Sequence, residues 1–169
     1  MERKKKFLNC RGNAVFDVIV FLTFVFIIII SAFAGKYVFS EINTDLQADD
    51  LLGNTSKTLL DEQNSGYGSF LDWVIVFLVI GLWFVLLVTA WLIDSNPIFF
   101  VITLIIMIAV FIMSMFLGNI YTDIAEDSDF SSVVSDFQMT HFIMDNILIF
   151  AIAIAFSIML VLFGKNQLG

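Results

Sequence analysis

Four aspartates stand close to long apolar runs: Asp17, Asp72, Asp94 and Asp145. A carboxylate inside a bilayer is a candidate proton relay or ion site, because placing it at the centre of a spanning helix costs about 2.5 to 3.5 kcal/mol on insertion scales. Position argues for another role. Each of the four lies at or just before the N-terminal end of an apolar run, where a carboxylate accepts unpaired backbone N–H groups and meets the positive end of the helix dipole. Lys36 and Lys165 stand at the C-terminal ends of the first and last runs, the complementary arrangement. The spacing therefore predicts helix caps and anchors.

The remaining reactive side chains are few. His141, the single histidine, falls on the apolar face of a candidate helix with Phe130, Val133, Val134 and Phe137, so packing is its expected role and pH sensing the alternative. Cys10, the single cysteine, excludes an internal disulfide and lies beside a basic cluster, a setting compatible with palmitoylation. That cluster, Arg3, Lys4, Lys5, Lys6 and Arg11, could contact anionic lipid, phosphate or an acidic partner. The sequence carries no G-x-S-x-G, no phosphate-binding glycine loop, no HExxH and no CxxC pair. No catalytic residue, cofactor or metal is expected, and nothing points directly to nucleic acid.

The elements that must hold these residues are set by composition. The chain of 169 residues is 60% hydrophobic and 14% charged, with a mean hydropathy of +0.97. A soluble domain carries about a quarter charged residues. Here the charge is missing in blocks of spanning length, and twenty Phe against one Pro favour long lipid-facing helices over a β-barrel. Trp73 to Ile93 and Pro97 to Leu117 are uncharged, and each reaches about 30 Å as a helix, the thickness of a bilayer core. Asp94-Ser95-Asn96-Pro97 between them reads as a tight turn, with Ser95 or Asn96 as N-cap and Pro97 pre-organised for the first helical turn. These two runs are expected to form a central antiparallel hairpin of neighbouring helices.

Taken in order, the chain reads as an all-α membrane protein with spans over about 14–39, 70–93, 97–121 and 143–164. The basic N-terminus places that end in the cytoplasm, and Lys165 and the Asp94 turn on the same side, so both termini are expected there. The start imitates a secretory signal, with Ala32-Phe33-Ala34 before Gly35, but its apolar run exceeds an ordinary h-region and is read as a retained helix. Two acidic segments, about 40–69 and 122–142, share the other side. In the first, Ile42, Leu46, Leu52, Thr55 and Leu59 recur at helical spacing and predict short amphipathic helices near the membrane face. Gln63 to Ser69 then reads as a turn. The second predicts another interfacial helix, capped by Ser128 or Asp129. Asn54-Thr55-Ser56 matches a glycosylation sequon. Small pairs at i and i+4, Ser114 with Gly118 and Ala151 with Ala155 among them, offer close helix approach, within the chain or between copies.

The stretch Ile93-Asp94-Ser95-Asn96-Pro97-Ile98-Phe99-Phe100, continuing through an apolar helix to Leu117-Gly118-Asn119-Ile120-Tyr121, resembles small integral membrane proteins of tailless icosahedral viruses that contain an internal membrane. That resemblance implies a compact helical protein, present in many copies in the lipid layer beneath a capsid, with capsid or genome contacts. The leading expectation is a virion structural protein that stabilises or curves the membrane and ties it to capsid proteins. A holin or pore former is the first alternative, though its charge cluster would normally be C-terminal. A channel or small subunit of a larger membrane complex is the second, opposed by the absence of mid-span ionisable residues.

Overall fold

A computed structural model describes residues 14–49, 52–92 and 98–164, and of 14–16 and 98–103 the backbone alone. The elements in order are α1 (Ala14–Ala48), α2 (Asn54–Leu92), α3 (Ile98–Ala125), α4 (Ser131–Val134), α5 (Gln138–Asp145) and α6 (Ile147–Gly164). Four helices, α1, α2, α3 and α6, are long and apolar enough to cross a membrane. The basic cluster Arg3, Lys4, Lys5, Lys6 and Arg11, Cys10, the turn with Asp94 and Pro97, and Lys165 lie outside the described residues.

Each long helix buries one stripe. On α1 it is Val18, Leu22, Val25, Ile29 and Phe33; on α3, Met107, Val110, Ser114, Leu117 and Tyr121; on α6, Ile147, Ala151, Ile154, Ile158 and Leu162. Steps of three and four keep these positions on one side of a helix with 3.6 residues per turn. The opposite faces expose Phe24, Phe77, Phe84, Phe116 and Phe156, a distribution that fits lipid as the surrounding solvent. Hydroxyls within the spans bond back to their own helix: Thr23 to the Ile19 carbonyl, Thr89 to Val85 and Ser114 to Val110. This satisfies them where water is absent.

The packing differs from the expected central hairpin. Among the described residues α1 packs on α2 and α3, α6 packs on α3 and α2, and α1 also meets α6, so α2 and α3 stand at opposite corners of the bundle. A short connection limits the distance between two helix ends without requiring contact along their lengths. Complementary surfaces decide the neighbours. Buried Ser114, Ala151 and Ala155 are small side chains on the paired helices α3 and α6. A Cβ at Gly118 would come within 3.2 Å of the Ile147 side chain, so the absence of one there permits the close approach.

The first acidic segment also departs from expectation. Among the described residues it holds no separate interfacial helices. Instead α1, with 35 residues, and α2, with 39, run on through it as extensions of the spans. These lengths are about 52 and 58 Å against a bilayer core of about 30 Å, so the two helices form an antiparallel stalk beyond the spans. Its register is fixed by Lys36 meeting Asn64, by Gln47 and Lys57 each donating to the other's carbonyl at 2.7 and 2.6 Å, and by Phe39 stacking on Tyr67 at 5.3 Å. The stretch Gln63 to Ser69, expected to turn, is helical throughout, because local glycine and serine content gives way to pairing with α1. The second acidic segment holds the short helices α4 and α5, folded back against α1, α2 and α3.

Candidate functional site: a polar head at one end of the bundle

At the base of the stalk the stretch Phe33 to Tyr37 of α1 and the stretch Asn64 to Asp72 of α2 meet the C-terminal end of α3, the short helix α5 and the segment around Asp136, with α6 starting beside them. Here the long-range polar contacts concentrate. Lys36 of α1 is 3% exposed. Its ammonium donates to the Asn64 backbone carbonyl and to Asn64 Oδ1 at 2.9 Å, and pairs with Asp136 Oδ2 at 3.2 Å. One buried cation thus joins α1, α2 and the segment between α4 and α5. Removing Asp136 would leave the buried ammonium of Lys36 without its counter-charge, which is unfavourable, whereas the Asp136 carboxylate is 39% exposed and keeps water if Lys36 is removed. The close approach of that segment depends on Gly68, because a Cβ there would stand 2.6 Å from Asp136 Cβ.

Asp72 makes the second tie, and it corrects the sequence reading. It caps no helix of its own, since α2 starts at Asn54 and Asp72 lies well inside it. Its carboxylate accepts the backbone N–H of Met139 at 2.9 Å and of Thr140 at 2.7 Å, in the first turn of α5. The N-cap residue of α5, Phe137, offers no side-chain acceptor. Asp72 therefore caps a neighbouring helix from across the bundle, and its charge meets the positive end of that helix.

The third tie runs from α3 to α5. Wholly buried Tyr121 has its hydroxyl 2.7 Å from His141 Nδ1, and His141 Nε2 stands 3.4 Å from Asp145 Oδ2. With the phenol donating to Nδ1, Nε2 carries its proton toward the carboxylate, so phenol, imidazole and carboxylate form one chain. Asp145 ends α5, just before α6, and its carboxylate is directed at His141. Asp17 lies in the first turn of α1. A ring cluster of Phe33 with Tyr121 and Phe137, at 6.1 and 4.8 Å, forms the apolar floor beneath these contacts.

Beside the third tie, a cleft of about 730 Å³ opens between α3, α4 and α5, lined by Thr122, Glu126, Ser131, Ser135, Gln138 and His141 among others. Glu41, Asp45, Asp61, Glu62, Asp123, Glu126, Asp127 and Asp129 are exposed on this end of the molecule. Both described lysines there are engaged, Lys36 with Asp136 and Lys57 with the Gln47 carbonyl. The surface therefore presents carboxylates without a competing exposed cation among the described residues. No group of His, Cys, Asp or Glu among the described residues is arranged to hold a metal ion.

The sequence singles out Asp72 and Asp145 as caps of their own spans and His141 for packing, whereas Asp72 serves α5 and His141 lies between Tyr121 and Asp145; Lys36 and Tyr121 are not marked as organisers. The readable signal for Lys36 was a lone cation before an acidic segment. Nothing in the sequence marked Asp136 or Asn64 as its partners.

Fold and head together define a class: a helical bundle whose four long helices can cross a membrane, closed at one end by a polar head. Compared with known proteins, the chain matches no family model, no curated protein and no solved structure.

Proposed function

We propose that this is a structural membrane protein of a virion, which stabilises an internal membrane and links it to capsid proteins through its acidic head. The observation that carries the reading is the division of the molecule. The spanning part is a bundle filled by apolar stripes, with no ionisable side chain buried at mid-span among the described residues. The head is fixed by directional bonds from Lys36, Asp72 and Tyr121 and exposes carboxylates such as Glu41, Asp45, Asp61 and Glu126. A rigid charged platform on a lipid anchor suits attachment, and the resemblance around Asp94 to Tyr121 supplies the virion setting.

The test is composition of purified membrane-containing particles. The protein should be present in many copies and should remain with the lipid fraction when the shell is stripped. Absence from such particles overturns the virion role. Lysis on expression that needs α2 and α3 would replace it with a holin, and ion conductance in liposomes with a channel.

A further inference from the structure

The stalk formed by α1 and α2 has two flanks with different surroundings. On α1, Phe33 meets Tyr121 and Phe137, and Tyr37 stacks on Phe130 at 5.4 Å, so this side faces α3 and the α4 region. Val38 and Ile42 lie five residues after Phe33 and Tyr37, about 140° further round the helix. On α2, Gly68 faces Asp136. Leu59 precedes it by nine residues, two and a half turns, and so lies on the opposite side. The register set by Lys36 with Asn64 and Gln47 with Lys57 brings Ile42 and Leu59 to nearly the same height. Val38, Ile42 and Leu59 are 54%, 51% and 60% exposed. Ile42 lies six residues beyond Lys36, about 9 Å further along the helix.

Exposed Glu41, Asp45 and Glu62 border this apolar strip, and the stalk's one described cation beyond Lys36, Lys57, is held by the Gln47 carbonyl. The face is thus an apolar line with acidic edges. Its complement is a helix with an apolar line and basic edges. We propose that the free flank of the α1–α2 stalk, centred on Ile42 and Leu59, docks a basic amphipathic helix of a protein layer lying against the membrane. The inference rests on the proposed linking role and names the chemistry of the linked partner.

The full chain in phosphatidylcholine nanodiscs is titrated with a synthetic helix of alternating lysine and leucine faces, with empty nanodiscs as the blank and a scrambled peptide of the same composition as control. Binding above the blank is expected, falling at least tenfold for the scrambled peptide, for Ile42→Asn with Leu59→Asn, and for Glu41→Gln with Asp45→Asn and Glu62→Gln. Hydrogen exchange on the wild type should show protection by the peptide along residues 38–62 and none along α4 and α5. Equal binding of the scrambled peptide overturns the proposal, as does unchanged affinity in either set of variants or protection confined to α4 and α5. Crosslinking of Ile42 and Leu59 to photoactivatable acyl chains also overturns it, since lipid then covers the flank. None of these outcomes depends on particle composition, so the docking face and the virion role fail separately.

Discussion

Ile158 and Asp72 are both almost wholly buried, at 0% and 5% exposure, yet they hold the molecule by different means. Ile158 lies within α6, where its removal from lipid gains little because acyl chains are as apolar as the bundle interior. What it contributes is close packing against other side chains, in contacts worth about 0.1 to 0.2 kcal/mol per atom pair. Asp72 contributes two charge-assisted hydrogen bonds that fix the start of α5, each worth about 1.5 to 3 kcal/mol. The spanning half is a set of interchangeable apolar surfaces; the head is a set of named partners.

This contrast can be broken by substitution, beginning with the head. Asp72→Ala leaves two backbone donors of α5 unpaired and should cost about 3 kcal/mol in detergent unfolding. Asp72→Asn, which retains one acceptor, should cost about half as much. Exchange of the Met139 and Thr140 amides should rise in both, while that of mid-span α6 amides should not. Gly68→Val drives a side chain into Asp136 and should cost about 1 to 3 kcal/mol by overpacking. Its mark is new protease access between α3 and α5, which a purely local α2 defect would not produce.

Ile158→Ala sharpens the other side of the comparison. In a water-soluble core Ile→Ala costs about 2 to 5 kcal/mol, but here only the cavity share applies, about 1 to 2 kcal/mol. A loss equal to that of Asp72→Ala would erase the distinction between the two halves. Tyr121→Phe keeps the ring contacts with Phe33 and removes the bond to His141, so a loss of about 1 kcal/mol is expected, with increased mobility of the His141 ring by NMR. Trp83→Phe removes the Nε1 bond to Ser157 Oγ at 3.0 Å, an interhelical contact within the spans. Such bonds average about 0.6 kcal/mol in membranes, so this should be the smallest change in unfolding midpoint.

The readable parts of the fold were those governed by one-dimensional quantities. Apolar runs longer than a bilayer is thick mark helices able to cross it whatever their neighbours. The errors arose where a local signal competed with a distant partner. Gln63 to Ser69 has turn composition, yet Lys36 and Tyr67 contacts hold it in α2. Asp72 precedes an apolar run as a cap would, yet the helix continues through it and its carboxylate serves α5. A cap is a geometric relation between an acceptor and free N–H groups, and sequence distance does not restrict which helix supplies them.

The sequence by itself determined the class of solvent this chain requires, the number of helices able to cross it and the acidic character of the segments between them. Hydrophobicity and helix rise are local properties, so no tertiary information is needed to read them. Only the tertiary structure decided that α2 and α3 stand apart across the bundle and that the first acidic segment is a stalk. It also decided that Lys36, Asp72 and Tyr121 each reach across the molecule to fix the head. Those outcomes depend on which surfaces meet, and bonds such as Asp72 to Thr140 or Lys36 to Asp136 join residues far apart in the chain.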